Sequence, residues 1–320
     1  MKTKEWLSAN FKGDPILWIL LTLLALGSLL AVYSTTGGYS QIGKSHEATN
    51  EYFLFKQLVF LVVGVGLAYI GHRVNFKRYS AIALPFLVFS FLLLVLVLFF
   101  GNEINGAKRW LTVPLVGLSI QPADIAKMAL MIYLARVISG SQTMIKQDIS
   151  IFWMLIIPTL MVCLFILPNN LSTAGLLFVT SIIVMFIGRI PIKYILYIFG
   201  IGMTMFLFVF LIGYFSGTGT RAVTWANRIT AFVGGEESFQ SQQARIAIAN
   251  GNVIGVGPGN SMQRNFLPYS HADFIYSIIC EEFGIVGAIG VMLIYLLMLY
   301  RVIRIVKRSP KTFGAMLAIG

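Results

Sequence analysis

A polar, glycine-rich segment, 240–284, contains the residues best suited to chemistry. It reads QSQQARIAIANGNVIGVGPGNSMQRNFLPYSHADFIYSIICEEFG, and its second half becomes strongly apolar. Asp273 lies where the segment turns apolar, and a carboxylate there can act as a general base toward a hydroxyl group. The alternative is that Asp273 only caps the following helix, because helix N-termini favour acidic residues. We expect His271 to orient or pack beside Asp273, since the sequence has no zinc-type cluster.

Two adjacent carboxylates follow on the same predicted helix. Glu281 and Glu282 come eight and nine residues after Asp273, about 12–14 Å further along a helix. Carboxylates are costly in lipid, so at least one should meet a cation or a hydrated cavity. We favour a structural ion pair over direct catalysis for these two residues.

Two further groups could contact an anionic ligand. In QPADIAK (121–127), Asp124 and Lys127 are three residues apart and share a helix face. They form either an ion pair at a helix start, or a site in which Lys127 meets a carboxylate or a ligand phosphate; both interpretations stay open. In NGAKRW (105–110), Lys108 and Arg109 suit an anionic headgroup or pyrophosphate, although an ordinary loop is the commoner case.

Other polar motifs have simpler interpretations. Ser172 and Thr173, in LPNNLSTAG (167–175), fit a tight turn with helix capping. The glycines of the 240–284 segment lack the strand and lysine of a nucleotide-binding loop, and we expect them to let the loop fold back tightly against the membrane surface; they are Gly251, Gly255, Gly257 and Gly259. Cys163 and Cys280 lie in apolar runs without metal-ligand spacing, which predicts packing roles.

Composition excludes a water-soluble globule. The 320 residues are 58% hydrophobic and 11% charged, with a mean hydropathy of +0.83, whereas soluble domains average about 25% charged residues. The net charge of +12 comes from basic residues between apolar runs, which favours contact with membrane lipids over nucleic acid. The first apolar run is as long as a membrane span, and we expect it to be retained rather than cleaved.

The sequence predicts an all-α polytopic membrane protein with about eight complete spans. A span needs about 20 apolar residues, and the runs that qualify are Ile16–Tyr33, Tyr52–Gly71, Tyr79–Phe100, Pro122–Ile138, Ile149–Leu167, Leu171–Ile187, Ile192–Phe215 and Phe274–Tyr300. A ninth run begins near Thr312, and we expect further spans beyond the C-terminus. The whole chain, 1–320, is predicted to be a single membrane domain.

Loop charges predict the orientation. With a cytoplasmic N-terminus, 15 of the 24 basic residues fall on the cytoplasmic side; they are Lys2, Lys4, Lys12, Arg73, Lys77, Arg78, Arg136, Lys146, Arg189, Lys193, Arg301, Arg304, Lys307, Arg308 and Lys311. The long loop 216–270 between spans 7 and 8 then lies outside. It contains aromatic residues and a predicted short helix, 240–250, that could lie along the membrane surface.

These motifs together resemble the SEDS family of bacterial membrane proteins, the group of FtsW, RodA and SpoVE. The resemblance rests on NGAKRW, QPADIAK, LPNNLSTAG, the W-x-x-R of Trp225 and Arg228, residues 240–259, and LPYSHADFIYSIICEEFG (267–284). They occur in family order over nearly the whole chain. The GVGPGNSMQRNFLP segment is more similar to the FtsW branch than to RodA. The family has ten spans.

The resemblance implies a peptidoglycan glycosyltransferase that polymerises lipid II for cell division. It implies Asp273 as the base for the acceptor 4-hydroxyl, undecaprenyl pyrophosphate as leaving group, and inversion at the donor. Cations would stabilise the pyrophosphate, with Arg109, Lys127 and Arg245 as candidates, Gln242 in a supporting role and possible help from Mg²⁺ or Mn²⁺. Implied partners are a class B penicillin-binding protein and other divisome membrane proteins, at the septum of the inner membrane.

The sequence departs from the family pattern at three places, and three alternative functions stay open. Ala272 replaces a usual threonine, Asp124 a usual glutamate, and LPNN a common Q-P-D, so no acid role passes to Asn170. One alternative is a lipid II flippase, in which Lys127, Glu281 and Glu282 would line the translocation path. The others are a RodA-like elongation polymerase and a scaffold that only positions a partner synthase.

Overall fold

The protein is a helical polytopic membrane protein. A computed structural model describes residues 13–36, 50–104, 107–113, 118–144, 149–215, 234–235, 238–267 and 270–320. The helices of these ranges are α1 (Pro15–Thr36), α2 (Asn50–Arg73), α3 (Phe76–Phe100), α4 (Pro122–Gly140), α5 (Ile149–Ile166), α6 (Leu171–Ile187), α7 (Ile192–Phe215), α8 (Phe239–Asn250), α9 (Ile275–Arg308) and α10 (Thr312–Ile319). A 3₁₀ turn covers Gln263–Asn265.

Each of the eight predicted spans coincides with a helix, and the run near Thr312 is α10. Five described helices are long and apolar enough to cross a membrane, namely α1, residues 51–73 of α2, α3, α5 and α9. Shorter apolar helices cover Leu171–Ile187 and Ile192–Phe208. Helix α4 carries three charged residues, Asp124, Lys127 and Arg136. Neighbouring helices bury most of its apolar residues, so it packs inside the bundle despite these charges.

A three-stranded antiparallel sheet between α3 and α4 was not predicted. Its strands, β1 (Asn102–Ile104), β2 (Ala107–Val113) and β3 (Leu118–Ile120), pair in the order β1-β2-β3. The side-chain amide of Asn102 donates to the Thr112 hydroxyl across the sheet. β1 and β3 have three residues each, too few for an apolar alternation to be recognised, and the seven residues of β2, AKRWLTV, do not alternate strictly.

The described residues form two compact units. The first contains α1, α2, α8 and α9 as far as Val302, and the second contains the sheet, α3 to α7, the end of α9 and α10. The prediction of a single domain over 1–320 stays a prediction. So does the long loop 216–270, because residues 216–233 lie outside the described ranges.

In the first unit, α1 is tied to α9 near both of its ends. The Arg301 guanidinium donates two hydrogen bonds to the Asp14 carboxylate, at 2.8 and 2.9 Å, and these bonds hold the pKa of Asp14 below its usual value. At the other end of α1, the Ser34 hydroxyl donates to Glu282. The two helices are therefore antiparallel.

In the second unit, α4 forms the centre of the apolar core. Six of its residues have no measurable exposure, which are Ala126, Ala129, Leu130, Leu134, Ala135 and Ile138. Helices α3, α5, α6 and α10 all contact it. Small residues on α4 let these neighbours approach closely, as is common for helices packed within membranes.

The predicted capping turn before α6 is confirmed. The Asn170 side-chain oxygen accepts a hydrogen bond from the Thr173 amide at 3.2 Å, which places Ser172 and Thr173 in the first turn of the helix. Replacing Asn170 with alanine should destabilise the protein by about 1 kcal/mol, because the cap is lost. Asn170→Ser should retain most of the stability, since serine caps as well as asparagine. Melting temperatures of the two variants check this, and equal losses would contradict it.

Candidate functional site

Asp273 lies in the turn that precedes α9, and its side chain is exposed. The turn is closed by a hydrogen bond from the Ile275 amide to the Ala272 carbonyl oxygen. In the described part of the chain, no hydrogen bond or ion pair engages the Asp273 carboxylate, and no backbone amide donates to it. Asp273 lies two residues before Ile275, where α9 begins, so the alternative that it stabilises the helix N-terminus stays open. The carboxylate is accessible to an incoming substrate.

His271 is half-buried beside Asp273. Its ring lies 6.2 Å from the Phe53 ring of α2, measured between centroids. Burial lowers the pKa of His271, and the negative charge of Asp273 partly opposes this shift. The imidazole is therefore neutral at pH 7, which agrees with the predicted orienting or packing role.

The lowered pKa of His271 predicts a loss of stability in mild acid. Well above pH 6.5 the imidazole is neutral in both folded and unfolded chains, so the stability is fully present there. As the pH falls below that value, the unfolded chain binds a proton more readily than the folded one, and stability declines. His271→Gln removes this ionisation. Melting temperatures between pH 8 and pH 5 should fall more for wild type than for the variant; parallel curves would contradict the prediction.

Glu281 and Glu282 are almost completely buried, with 1% and 2% exposure. Glu281 accepts hydrogen bonds from the Ser261 hydroxyl and from the amides of Met262 and Gln263. Glu282 accepts one from the Ser34 hydroxyl. Hydroxyl and amide groups are thus the direct partners among the described residues, and the positive charge of Arg264 also acts on Glu282. Such donors can stabilise a buried carboxylate without an ion pair.

Ser34 joins three elements of the first unit. Besides donating to Glu282, its hydroxyl accepts a hydrogen bond from the Gly259 amide at 3.1 Å. Its carbonyl oxygen accepts one from the Arg264 guanidinium at 2.8 Å. Sequence reasoning missed Ser34, Ser261 and Arg264, although the polar Ser-Thr-Thr end of an otherwise apolar span was an available signal.

Helix α9 is interrupted at Gly284, where the backbone takes φ 66° and ψ −164°. The sequence predicted one uninterrupted span. The 251–257 loop hydrogen-bonds the polar groups that the break exposes. Carbonyl oxygens of Glu281 and Glu282 accept from Val256 and Gly257 at 2.9 and 3.0 Å, and the amides of Ile285 and Val286 donate to Asn252 and Val253 at 3.1 and 3.3 Å.

Three glycines make this contact possible. An added Cβ at Gly251 would lie 1.9 Å from the Cys280 carbonyl oxygen, and one at Gly255 would lie 2.2 Å from that of Glu282. A Cβ at Gly284 would lie 2.4 Å from the Val253 carbonyl oxygen. The loop folds back tightly at these glycines, but the surface that it contacts is the broken helix; the expected packing against the membrane surface stays a prediction.

Gln242 and Arg245 lie on α8, the predicted short helix, and both are exposed. Ala244 of the same helix packs with Leu267 and Ile278 in a small apolar core. The first unit therefore brings α8 to the beginning of α9. The sequence predicted the helix, but its packing partner could not be read from it.

The remaining candidates lie in the second unit. Lys127 and Asp124 form an ion pair, one of the two interpretations that the sequence left open, with 2.7 Å between Nζ and Oδ1. Lys108 and Arg109 lie on β2, with Lys108 exposed and Arg109 half-buried. That Lys127 completes a site with Asp273 stays a prediction. Trp225 and Arg228 lie outside the described residues.

Metal ligands and cysteines add little to the site. Across the described ranges, no three His, Cys, Asp or Glu side chains are grouped so that they could hold a metal ion. The proposed divalent cation therefore gains no support from a preformed protein site. Cys163 and Cys280 are both buried thiols, in agreement with packing roles.

Comparison with known proteins gives one consistent result. Residues 14–320 match the family model FTSW_RODA_SPOVE, described as a cell cycle protein. A Trichlorobacter lovleyi protein named probable peptidoglycan glycosyltransferase FtsW is 31% identical over 317 residues, covering 96% of this chain and 79% of that protein. A Haemophilus influenzae protein of the same name is 29% identical, covering 99% and 80%.

Two solved structures share the fold. A chain from a peptidoglycan synthase complex that coordinates polymerization and crosslinking matches with a TM-score of 0.65 and 24% identity, over 94% of this chain and 82% of that one. The rod shape determining protein RodA from Thermus thermophilus matches with a TM-score of 0.59 and 23% identity, over 93% and 78%.

Proposed function

The chain belongs to the FtsW, RodA and SpoVE family of cell cycle proteins, and we propose that it is a peptidoglycan glycosyltransferase that polymerises lipid II. The observation that supports this most is Asp273, an exposed and unbonded carboxylate held at the start of a membrane helix. An acceptor hydroxyl can reach such a group without displacing a protein partner. The FtsW relatives support the division enzyme over the elongation enzyme.

In the proposed reaction, Asp273 removes the proton from the acceptor sugar's 4-hydroxyl. The oxygen then forms a bond to the anomeric carbon of the donor lipid II, on the face opposite the leaving group. The bond from that carbon to the pyrophosphate oxygen breaks, and undecaprenyl pyrophosphate leaves. The donor is already activated, so the protein has to supply a base, positioning and charge stabilisation.

Negative charge that develops on the pyrophosphate requires cations. Arg245 is our candidate in the first unit, where α8 packs against the beginning of α9. Arg109 and Lys127 are candidates from the second unit, with Lys108 beside Arg109. A Mg²⁺ or Mn²⁺ ion, were it to enter with the substrate, would add positive charge at the pyrophosphate and would need no dedicated protein cage, because Mg²⁺ commonly binds through substrate phosphates.

The proposed topology places the N-terminus in the cytoplasm and Asp273 outside, in the inner membrane at the division septum. The clustered basic residues at the end of α9, which include Lys307 and Arg308, support this orientation. Peptidoglycan synthesis also requires peptide crosslinking. We therefore propose a class B penicillin-binding protein as the transpeptidase partner, together with other divisome membrane proteins.

A lipid II transporter is the second candidate, and the broken helix favours it because transporters often use such breaks. The position of the break argues against this function. The 16 residues from Ile285 to Tyr300 are mostly apolar and follow the break, and they span about 24 Å of a hydrocarbon core about 30 Å thick. Gly284 therefore lies near one end of the span rather than at its middle. The carboxylates beside it are already hydrogen-bonded.

Reconstitution separates the two functions. Purified protein in liposomes that contain lipid II should produce glycan strands and release undecaprenyl pyrophosphate. Movement of lipid II between leaflets without any polymer would contradict the polymerase and support the transporter. Failure of both activities, in the presence and absence of the transpeptidase partner, would contradict both proposals.

A further inference from the structure

The break at Gly284 separates the Asp273 turn from most of α9. In a continuous helix, the backbone hydrogen bonds of the entire span would set the position of its first turn. Here only the short segment Ile275–Phe283 continues from Asp273 before the backbone leaves helical geometry at Gly284. Other contacts must therefore fix that segment.

A group of four side chains provides such contacts, and we name it the carboxylate latch: Ser34, Ser261, Glu281 and Glu282. Each member is buried, with at most 8% exposure. Ser34 links Glu282 to the end of α1 and to the Gly259 amide. Ser261 links Glu281 to the loop, and its hydroxyl also accepts from the Arg264 amide at 3.2 Å.

The latch is connected to Asp273 through the chain between them. The Glu281 carboxylate accepts hydrogen bonds from the backbone amides of Met262 and Gln263. The Leu267 amide donates to the Gln263 carbonyl oxygen at 3.0 Å. The Leu267 side chain, with 2% exposure, packs on Ile278 in the first turns of α9. Contacts therefore run from the latch to the loop, and from the loop to the start of α9, which directly follows the Asp273 turn.

We propose that the carboxylate latch positions Asp273 for glycosyl transfer, so that Glu281, Glu282, Ser34 and Ser261 are positioning residues for the reaction. This inference rests on the proposed function. None of the four acts as acid, base or ion-pair partner for the substrate, because each is buried and bonded within the protein. Their role is to hold a broken helix end as rigidly as an unbroken one.

The chemistry of the latch predicts which substitutions disrupt it. Both oxygens of Glu281 accept hydrogen bonds from donors. Glu281→Gln keeps the size of the side chain but turns an NH₂ group toward one of those donors, which leaves it unpaired. Ser34→Ala is the milder disruption, because it removes the hydroxyl between Glu282 and the Gly259 amide, while the backbone amides of Gly259 and Ser261 still act on Glu282.

Thr35 offers a matched control next to Ser34. It is also fully buried, but its hydroxyl donates to the Ala31 and Val32 carbonyl oxygens within α1. Thr35→Val therefore removes a buried hydroxyl from the same helix end without changing the latch. A purely local role for hydroxyls in α1 would affect both positions alike.

Hydrogen–deuterium exchange of the intact protein in detergent tests the latch independently of catalysis. Backbone amides in 256–267 should exchange at least tenfold faster in Glu281→Gln and Ser34→Ala than in wild type, and at the wild-type rate in Thr35→Val. Unchanged exchange in both latch variants would overturn the inference. Should Glu281→Gln fail to fold, Ser34→Ala still decides the outcome.

Polymerisation kinetics test the positioning role. In both latch variants kcat should fall at least tenfold while KM for lipid II stays within about twofold, because a displaced base slows the chemical step without removing a substrate contact. Faster exchange with unchanged kcat would overturn the positioning role. Faster exchange in the variants, when even the wild type makes no polymer, would contradict the proposed function and leave the latch supported.

Discussion

Replacing Asp273 with asparagine is expected to slow glycan polymerisation by about 10²- to 10⁴-fold, the range that a positioned general base contributes. Asparagine has nearly the same size but cannot accept the proton of the acceptor hydroxyl. The folded state should be unaffected, because the Asp273 side chain is exposed and its carboxylate forms no hydrogen bond or ion pair with the described residues. Steady-state polymer formation from lipid II measures the effect, with melting temperature as the check on folding.

Glu51 provides the matched control for this substitution. It is another exposed carboxylate of the first unit, in the first turn of α2, and the proposed reaction gives it no role. Glu51→Gln removes the same charge and should polymerise at the wild-type rate. Equal losses in the two variants would show that net charge, rather than a base at Asp273, controls the rate.

Gly255→Ala is expected to destabilise the protein strongly, because it combines a positive φ with a backbone clash. The glycine has φ +90°, and an added Cβ would lie 2.2 Å from the Glu282 carbonyl oxygen. The left-handed backbone costs a non-glycine residue about 1–2 kcal/mol. Displacing the loop would also break the Val256 and Gly257 hydrogen bonds to α9, at about 0.5–1.5 kcal/mol each. A loss of about 3 kcal/mol should appear as a clearly lower melting temperature.

Gly290→Ala is the control for this prediction. Gly290 lies on α9 six residues after the break, and an added Cβ there would meet no atom within 4 Å. The melting temperature of this variant should equal that of wild type or exceed it, because alanine favours a helix over glycine. Equal melting temperatures for Gly255→Ala and Gly290→Ala would show that the loop does not pack against α9 as described.

The sequence predicted the helices well because each depends on a local property. Apolar runs of about 20 residues identify spans without any knowledge of what they contact, and the eight predicted runs coincide with α1 to α7 and α9. The Asp124–Lys127 pair and the Asn170 cap were also predictable, since both join residues three positions apart.

The latch could not be predicted because its contacts are distant in sequence. Ser34 and Glu282 are separated by 248 positions, and no local pattern indicates that the end of α1 meets that part of α9. The cost of placing charged side chains in a membrane predicted that the two adjacent glutamates need partners. It did not show that serine hydroxyls and loop amides, rather than a cation, would be the direct ones.

The break in α9 could not be predicted from the sequence for a similar reason. Gly284 occurs in an apolar run where a glycine is usually tolerated within a continuous helix. Only the close approach of Val253 and Gly255 to its backbone accounts for the break. The glycines of the loop and the glycine of the helix each suggest flexibility when considered alone, and together they form one rigid backbone contact.

The most direct test of the central claim is the single-turnover rate of undecaprenyl pyrophosphate release, measured with a saturating glycan acceptor and with enzyme in excess over the donor lipid II. This rate reports the bond-breaking step rather than product release or strand extension. Wild type should release the pyrophosphate in one fast phase, and Asp273→Asn should release it at least 100-fold more slowly while retaining its affinity for lipid II. Release by Asp273→Asn at the wild-type rate would show that Asp273 is not the base.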